Sequence, residues 1–244
     1  MAVIDVKHFQ KSFRGKTVHR DISFSVREGE CLGLIGGSGV GKSVILRSLI
    51  GLEKADGGRI MIEGEDITRF SEKELTPIRV KVAYVFQNGA LFDSLTVYEN
   101  LAFPLKEHTA LNDHEIEKRI TAQLAEFGLS GNEALYPNQL SGGMQKRVGI
   151  ARSIIIGPKV ILYDEPTAGL DPYNTLKIQE MILRLKEKGV TSILVTHDMP
   201  TAFAVCDRFC LIGEGRIRAR GTREELESEK EGYLQSFIRG EKGV

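Results

Sequence analysis

Gly36-Gly37-Ser38-Gly39-Val40-Gly41-Lys42-Ser43 has the composition of a phosphate cradle. Glycine accepts positive φ at little cost, so successive backbone N–H groups can turn inward around an oxyanion. Lys42 would add a full positive charge at the outer phosphates, and the Ser43 hydroxyl suits Mg²⁺. The run follows an apolar segment, Cys31 to Ile35, and precedes a helix-like stretch, Val44 to Ile50. That strand, loop, helix order is the context the motif requires. The helix would aim its positive dipole end at the same oxygens.

Two further groups of residues could act on the same ligand. Val160-Ile161-Leu162-Tyr163 is an apolar strand that ends in Asp164 and Glu165. A strand buried on both faces delivers its C-terminal residues to the crevice where ligands bind. Asp164 is then positioned to hold Mg²⁺ and Glu165 to polarise an attacking water. Leu140-Ser141-Gly142-Gly143-Met144 precedes Gln145-Lys146-Arg147 and an apolar-periodic helix. Ser141 can cap that helix, and the two glycines leave its first N–H groups open to an anion.

The elements that must position these groups are legible in the patterning. Residues 3–35 alternate apolar and polar positions around a turn at Arg14-Gly15-Lys16, which predicts antiparallel strands. Asp56-Gly57-Gly58 predicts a turn before a strand over 59–63. Ser71 and Glu74 are spaced as a capping box for a short helix ended by Pro77. Val82 to Phe86 suits a buried parallel strand, and a second box, Thr96 and Glu99, opens a helical region running to about 156. There, Ile116, Ile120, Leu124 and Phe127 share one helical face. Strand patterns return at 160–163, 192–195 and 209–212, with a helix over 173–188. The predicted class is α/β: a phosphate-loop core with an antiparallel β lobe at its N-terminal end and an inserted helical lobe.

Composition sets bounds without selecting a function. Lys+Arg and Asp+Glu both number 33, so net charge gives no general case for nucleic acid. No run approaches the roughly 18 apolar residues of a membrane-spanning helix, and the N-terminus lacks the pattern of a signal peptide. Cys31, Cys206 and Cys210 make neither a disulfide framework nor a metal set and read as buried thiols.

Taken in order, the loop at 36–43, Gln87, Leu140-Ser141-Gly142-Gly143, the strand and carboxylates at 160–165, Ala168-Gly169-Leu170-Asp171 and His197 resemble an ABC transporter ATPase subunit. The resemblance covers roughly residues 3–220. It implies a P-loop ATPase with a RecA-like core, over 1–221, whose helical lobe occupies about 90–157. It further implies Mg²⁺-dependent ATP hydrolysis between two copies packed head to tail. Phe13 would stack on adenine with Val18 beside it, while Gly36, Gly37, Ser38, Gly39, Val40, Gly41, Lys42, Ser43 and Val44 surround the phosphates. Ser43, Gln87 and Asp164 would serve Mg²⁺, and catalysis would fall to Glu165, His197, Lys42 and Gln87. Ser141, Gly142 and Gly143 would reach the ATP of the other copy, and Asp171 would help build the seam.

Two stretches narrow the resemblance. Met144 follows the Leu-Ser-Gly-Gly run where most of the family has Gln, and Phe86 to Leu105 has a distinctive sequence. Together they resemble the ATPases of Mla/Mce-type phospholipid transport systems. Expected partners are then a second ATPase copy, integral membrane permease subunits, a small cytoplasmic regulatory subunit and a periplasmic lipid-binding Mce-type subunit, with no nucleic acid. Such a subunit would sit peripherally on the cytoplasmic face of the inner membrane. Leu91, Phe92, Leu95 and Phe103 are expected to form the permease dock. A different ABC importer or exporter, or a regulator of envelope remodelling, would carry the same shared motifs. Thr222 and Glu225 suggest a cap opening a short helical tail over 222–244, striped by Tyr233, Leu234, Phe237 and Ile238.

Overall fold

β1 (Ala2–Phe13) and β2 (Lys16–Arg27) pair antiparallel around Arg14-Gly15, both in the positive-φ region that a tight turn needs. Their alternating side chains put Ile4, Val6, Phe9, Ile22, Phe24 and Val26 inside. The alternation stops at β3 (Cys31–Ile35), which is buried along its whole length and joins a parallel sheet instead. The computed structural model describes residues 2–228 and 232–239, so 229–231 and 240–244 of the expected tail lie outside the described residues.

α1 (Lys42–Leu49) leaves the phosphate loop, and β4 (Gly57–Ile62) returns to pair with β1. The expected turn at Asp56-Gly57-Gly58 is the start of that strand. Gly58 has φ +85°, and a Cβ there would lie 2.3 Å from the His8 carbonyl oxygen, against an irregularity in β1 where His8 itself has φ +52°. After β5 (Glu65–Asp66), Ser71 and Glu74 cap α2 (Glu72–Lys81) as the spacing predicts. Pro77 does not end that helix. Its missing N–H forfeits one bond, but Leu75 and Ile78 bury themselves on the core and Arg79 Nε donates to the Ile50 carbonyl beyond it, 2.9 Å away. Packing outweighs the local break.

β6 (Val82–Val85) leads into the helices α3 (Val97–His108), α4 (Asp113–Glu126) and α5 (Gly142–Ile154). Thr96 and Glu99 form the predicted box, and Ile116, Ile120, Leu124 and Phe127 share a core with Leu101, Leu105 and Val148. The chain then makes β7 (Val160–Asp164), α6 (Pro172–Glu187), β8 (Thr191–Thr196), α7 (Met199–Val205), β9 (Arg208–Gly213) and β10 (Arg216–Gly221). The sheet order is β5-β4-β1-β2-β10-β9-β3-β8-β7-β6. β9, β3, β8, β7 and β6 run parallel, so their C-terminal ends line one edge. β10 bridges to β2 at Arg216 and Asp21, joining the two halves.

α8 (Arg223–Ser228) begins at the predicted Thr222–Glu225 box, and α9 (Tyr233–Ile238) follows. Leu226 and Leu234 pack with Phe209 and Leu211, so the described tail folds back on its own core, while Ile238 stays exposed. Cys31 and Cys206 lie with their sulfurs 3.6 Å apart, and Cys210 is buried separately. No helix among the described residues is long and apolar enough to cross a membrane.

The helical lobe meets the sheet at two glycines. A Cβ on Gly149 of α5 would come within 2.6 Å of the Gly89 Cα, just past β6. Gly149→Ala would gain about 1 kcal/mol of helix propensity. The obstruction is backbone and cannot swing aside, so overpacking of about 1–3 kcal/mol should win. Denaturant melts should show the variant less stable than the parent; a more stable variant would mean the two backbones are not held this close.

Candidate functional site

The loop 36–41 joins the C-terminal end of β3 to α1, and its geometry requires its glycines at two points. Gly41 has φ +93°, and a Cβ there would come within 2.5 Å of Val18 and 2.6 Å of His19. Gly36 has the Ile212 carbonyl oxygen 2.5 Å from the same position. Lys42 is buried and donates from Nζ to the carbonyls of Gly36 at 2.7 Å and Gly37 at 3.0 Å. Burial pulls its pKa below the usual ammonium range, opposed by Glu165 and Asp164. The ammonium is therefore poised on weak neutral acceptors that an anion could replace.

β7 places its two carboxylates beside this loop. Asp164 accepts from Ser43 Oγ on Oδ1 and from Tyr84 Oη on Oδ2, both at 2.6 Å. Tyr84, on β6, is buried, and burial together with Asp164 holds its phenol well above its usual range, so it stays a donor. Glu165 sits in the left-handed region at φ +50°, held by its N–H donating to the Val195 carbonyl at 2.9 Å. A non-glycine residue there is strained, which the surrounding bonds must sustain. Its carboxylate accepts from Thr196 Oγ1 at 3.1 Å and lies 3.0 Å from His197 Nδ1 and 3.8 Å from Lys42 Nζ.

The side of the loop facing β1 and β2 is more open. Val18 and the loop residues Gly39 and Val40 border a cleft of about 620 Å³ that also takes in Lys16 and Thr17 of β2. Phe13 ends β1 with 39% of its surface exposed, and Lys11 Nζ stands 4.9 Å from its ring centre. Gln87 is exposed two residues past Val85, the β7-paired end of β6. It takes no part in the bonds that join Asp164 to Ser43 and Tyr84.

Ser141 caps α5, its Oγ accepting from the Met144 N–H at 3.3 Å. The two glycines differ in what they face. Gly142 has open space where a Cβ would stand, whereas at Gly143 the Asn174 side chain lies 2.3 Å from that point. Asn174 in turn donates to Asp171, the N-cap of α6. Lys146 Nζ donates to the Ala168 carbonyl, tying α5 to the turn after Glu165. Lys42, Ser43, Asp164, Glu165 and His197 are thus joined in one contact network. Ser141, Gly142 and Gly143 lie outside it, their helix tied to the turn after Glu165 by Lys146 and abutting the α6 cap at Asn174.

Tyr84, Thr196 and Lys146 were not legible as site residues. Each is of a type that serves packing or solvent equally well. Tyr84 alone carried a signal, a hydroxyl on a strand otherwise apolar from Val82 to Val85.

The family model described as "ABC transporter" matches residues 19–168. The probable ribonucleotide transport ATP-binding protein mkl of Mycobacterium leprae is 40% identical over 97% of this chain. The chain spans about two thirds of such mycobacterial relatives, 69% there and 66% in Mycobacterium tuberculosis. The intermembrane phospholipid transport system ATP-binding protein MlaF of Haemophilus influenzae is 34% identical over 98% of this chain and 91% of its own length. A solved dimer of another ATP-binding cassette, in a post-hydrolysis state with ADP and Pi, matches 90% of this chain and 98% of its own with TM-score 0.83 and 32% identity. With the phosphate loop, the paired carboxylates and the capped glycine helix in one fold, the chain belongs to the ABC transporter family as an ATP-hydrolysing subunit.

Proposed function

We propose that this subunit energises phospholipid transport through a membrane permease, from the cytoplasmic face of the inner membrane. The observation that carries the reading is the match to the Haemophilus phospholipid system's ATP-binding protein, which runs nearly end to end in both chains. The ribonucleotide name on the mycobacterial relatives makes another cargo the competing reading.

In this reading two copies pack head to tail. Phe13 and Val18 receive the base, and residues 36–44 hold the phosphates with Lys42 transferred from the Gly36 and Gly37 carbonyls to phosphate oxygen. The N-terminus of α5 in the other copy, with Ser141, Gly142 and Gly143, closes on the outer phosphate. The hard oxygen donors Ser43 and Asp164 fit Mg²⁺, with Gln87 able to join them from the loop after β6. Mg²⁺ would supply charge neutralisation at the phosphates. Glu165 takes the proton of the attacking water, and His197, aligned by its contact with Glu165, faces the outer phosphate. Hydrolysis removes charge from the seam, so a ligand that favours the closed pair is lost and the copies separate.

The permease dock would be the groove where Phe92 and Phe103, both nearly half exposed, meet with ring centres 5.2 Å apart. Tyr84, Phe86, Pro104 and Ile156 add to its apolar lining. Leu91 and Leu95, expected to share the patch, are partly buried, and Leu91 packs on the lobe core.

The test is to purify the assembled complex from membranes and identify its proteins and lipids by mass spectrometry. A permease, a periplasmic lipid-binding Mce-type subunit, a small cytoplasmic regulatory subunit and bound phospholipid are expected. The double variant F92E/F103E should lose the permease while the free subunit still hydrolyses ATP. A permease for amino acids or nucleotides in the preparation would overturn the lipid reading.

A further inference from the structure

His19 of β2 is fully buried in a position where an apolar residue would leave no polar atom unmet. Its ring packs tilted against Phe9, with centres 5.6 Å apart. Nε2 lies 3.0 Å from the Gly41 carbonyl oxygen, while Nδ1 is buried with no hydrogen-bond partner among the described residues. A carbonyl only accepts, so Nε2 carries the proton and Nδ1 is left as a bare lone pair. Burial also pulls the imidazole pKa below its usual value, which keeps the ring neutral.

The carbonyl it reaches is mechanically special. Gly41 is the N-cap of α1, and its oxygen also accepts from Val44 N–H at 2.9 Å and Ile45 N–H at 3.4 Å. In a planar trans peptide, the C=O of Gly41 and the N–H of Lys42 point in opposite directions. His19 Nε2–H and the two helix N–H groups hold that oxygen together, and so turn the Lys42 N–H the opposite way, toward the N-terminal side of α1 from which the loop enters. The neighbour Val18 packs on the same glycine from the side of the base cleft.

We propose that His19 is a positioning residue for nucleotide binding: its Nε2–H holds the 41–42 peptide so that the Lys42 amide presents to phosphate, and it sets the loop's height against the strand that receives the base. This rests on the loop being the phosphate site, which the parent's binding of Mg-ATP and its loss in Lys42→Ala test separately.

The experiment is calorimetric titration of the full chain with Mg-ATP, beside steady-state hydrolysis. His19→Leu fills the space without a donor. It should bind Mg-ATP about five to ten times more weakly, the worth of one neutral hydrogen bond, with KM raised and kcat within about twofold. His19→Gln, whose Nε2 amide can reach the same carbonyl, should recover most of the affinity. Parent-like affinity in His19→Leu, or equal losses in the two variants, would overturn the proposal. Should His19→Leu not fold, ¹⁵N NMR of the parent imidazole decides. A protonated Nε2 and an unprotonated Nδ1, with Nε2 shifting on Mg-ATP addition, are expected; the opposite tautomer would overturn it.

Discussion

Glu165→Gln is expected to lower kcat for ATP hydrolysis by about a thousandfold, in the middle of the range for losing a general base. Binding of Mg-ATP should persist. Water must give up a proton as its oxygen bonds the γ-phosphorus and the bond to ADP breaks, and a glutamine amide cannot take that proton. The shape of the site survives, because Gln is nearly isosteric. One end still accepts from Thr196 Oγ1, and the amide N–H₂ can face His197 Nδ1, which becomes an acceptor by changing tautomer. Lys42 keeps its bonds to the Gly36 and Gly37 carbonyls. Loss of one negative charge 3.8 Å from Lys42 leaves that ammonium freer to meet phosphate. The variant should therefore accumulate as a closed, ATP-bound pair, seen as a dimer by size-exclusion chromatography with Mg-ATP. Turnover within about threefold of the parent would remove Glu165 from the role of base.

Legibility in the sequence followed how local each interaction is. The loop 36–43 and the capping pairs Ser71–Glu74, Thr96–Glu99 and Thr222–Glu225 are each settled within a few residues, and the structure contains all of them. Strand positions followed from apolar runs for the same reason. Pro77 shows where local reasoning stops: its rule was overridden by burial of Leu75 and Ile78 and by Arg79 reaching Ile50, none of which is a neighbour effect. The bonds that arm the site are longer still. Tyr84 meets Asp164 across 80 positions, Thr196 meets Glu165 across 31 and His19 meets Gly41 across 22. The types of those residues gave little warning, since tyrosine, threonine and histidine each have ordinary places in a core. The strand order, which sets β6, β7 and β8 side by side, makes the first two pairs neighbours, and His19 comes from β2, separated from β3 by β10 and β9.

Co-assembly of two inactive variants provides the second large effect. Lys42→Ala removes the ammonium that counters phosphate charge, and Ser141→Arg obstructs the N-terminus of α5, so each alone should have at most about 1% of parent activity. In a head-to-tail pair, the loop at 36–43 of one copy works with Ser141 of the other. A mixed pair then gathers both defects into one pocket and leaves the second pocket wholly native. With free exchange at equal amounts, half of the pairs are mixed and each keeps one of two pockets, so about a quarter of parent activity should return. That figure holds for pockets that fire independently. The geometry favours this arrangement over a pocket completed within one chain. Gly142 faces open space, and among the described residues Ser141 bonds only within its own helix cap while Lys146 of α5 reaches no further than the Ala168 carbonyl. A mixture no more active than its parts, under conditions where exchange is demonstrated with differently tagged copies, would mean that Ser141 serves its own chain's ATP. The seam built from Asp171 and the capped helix would then have to be abandoned.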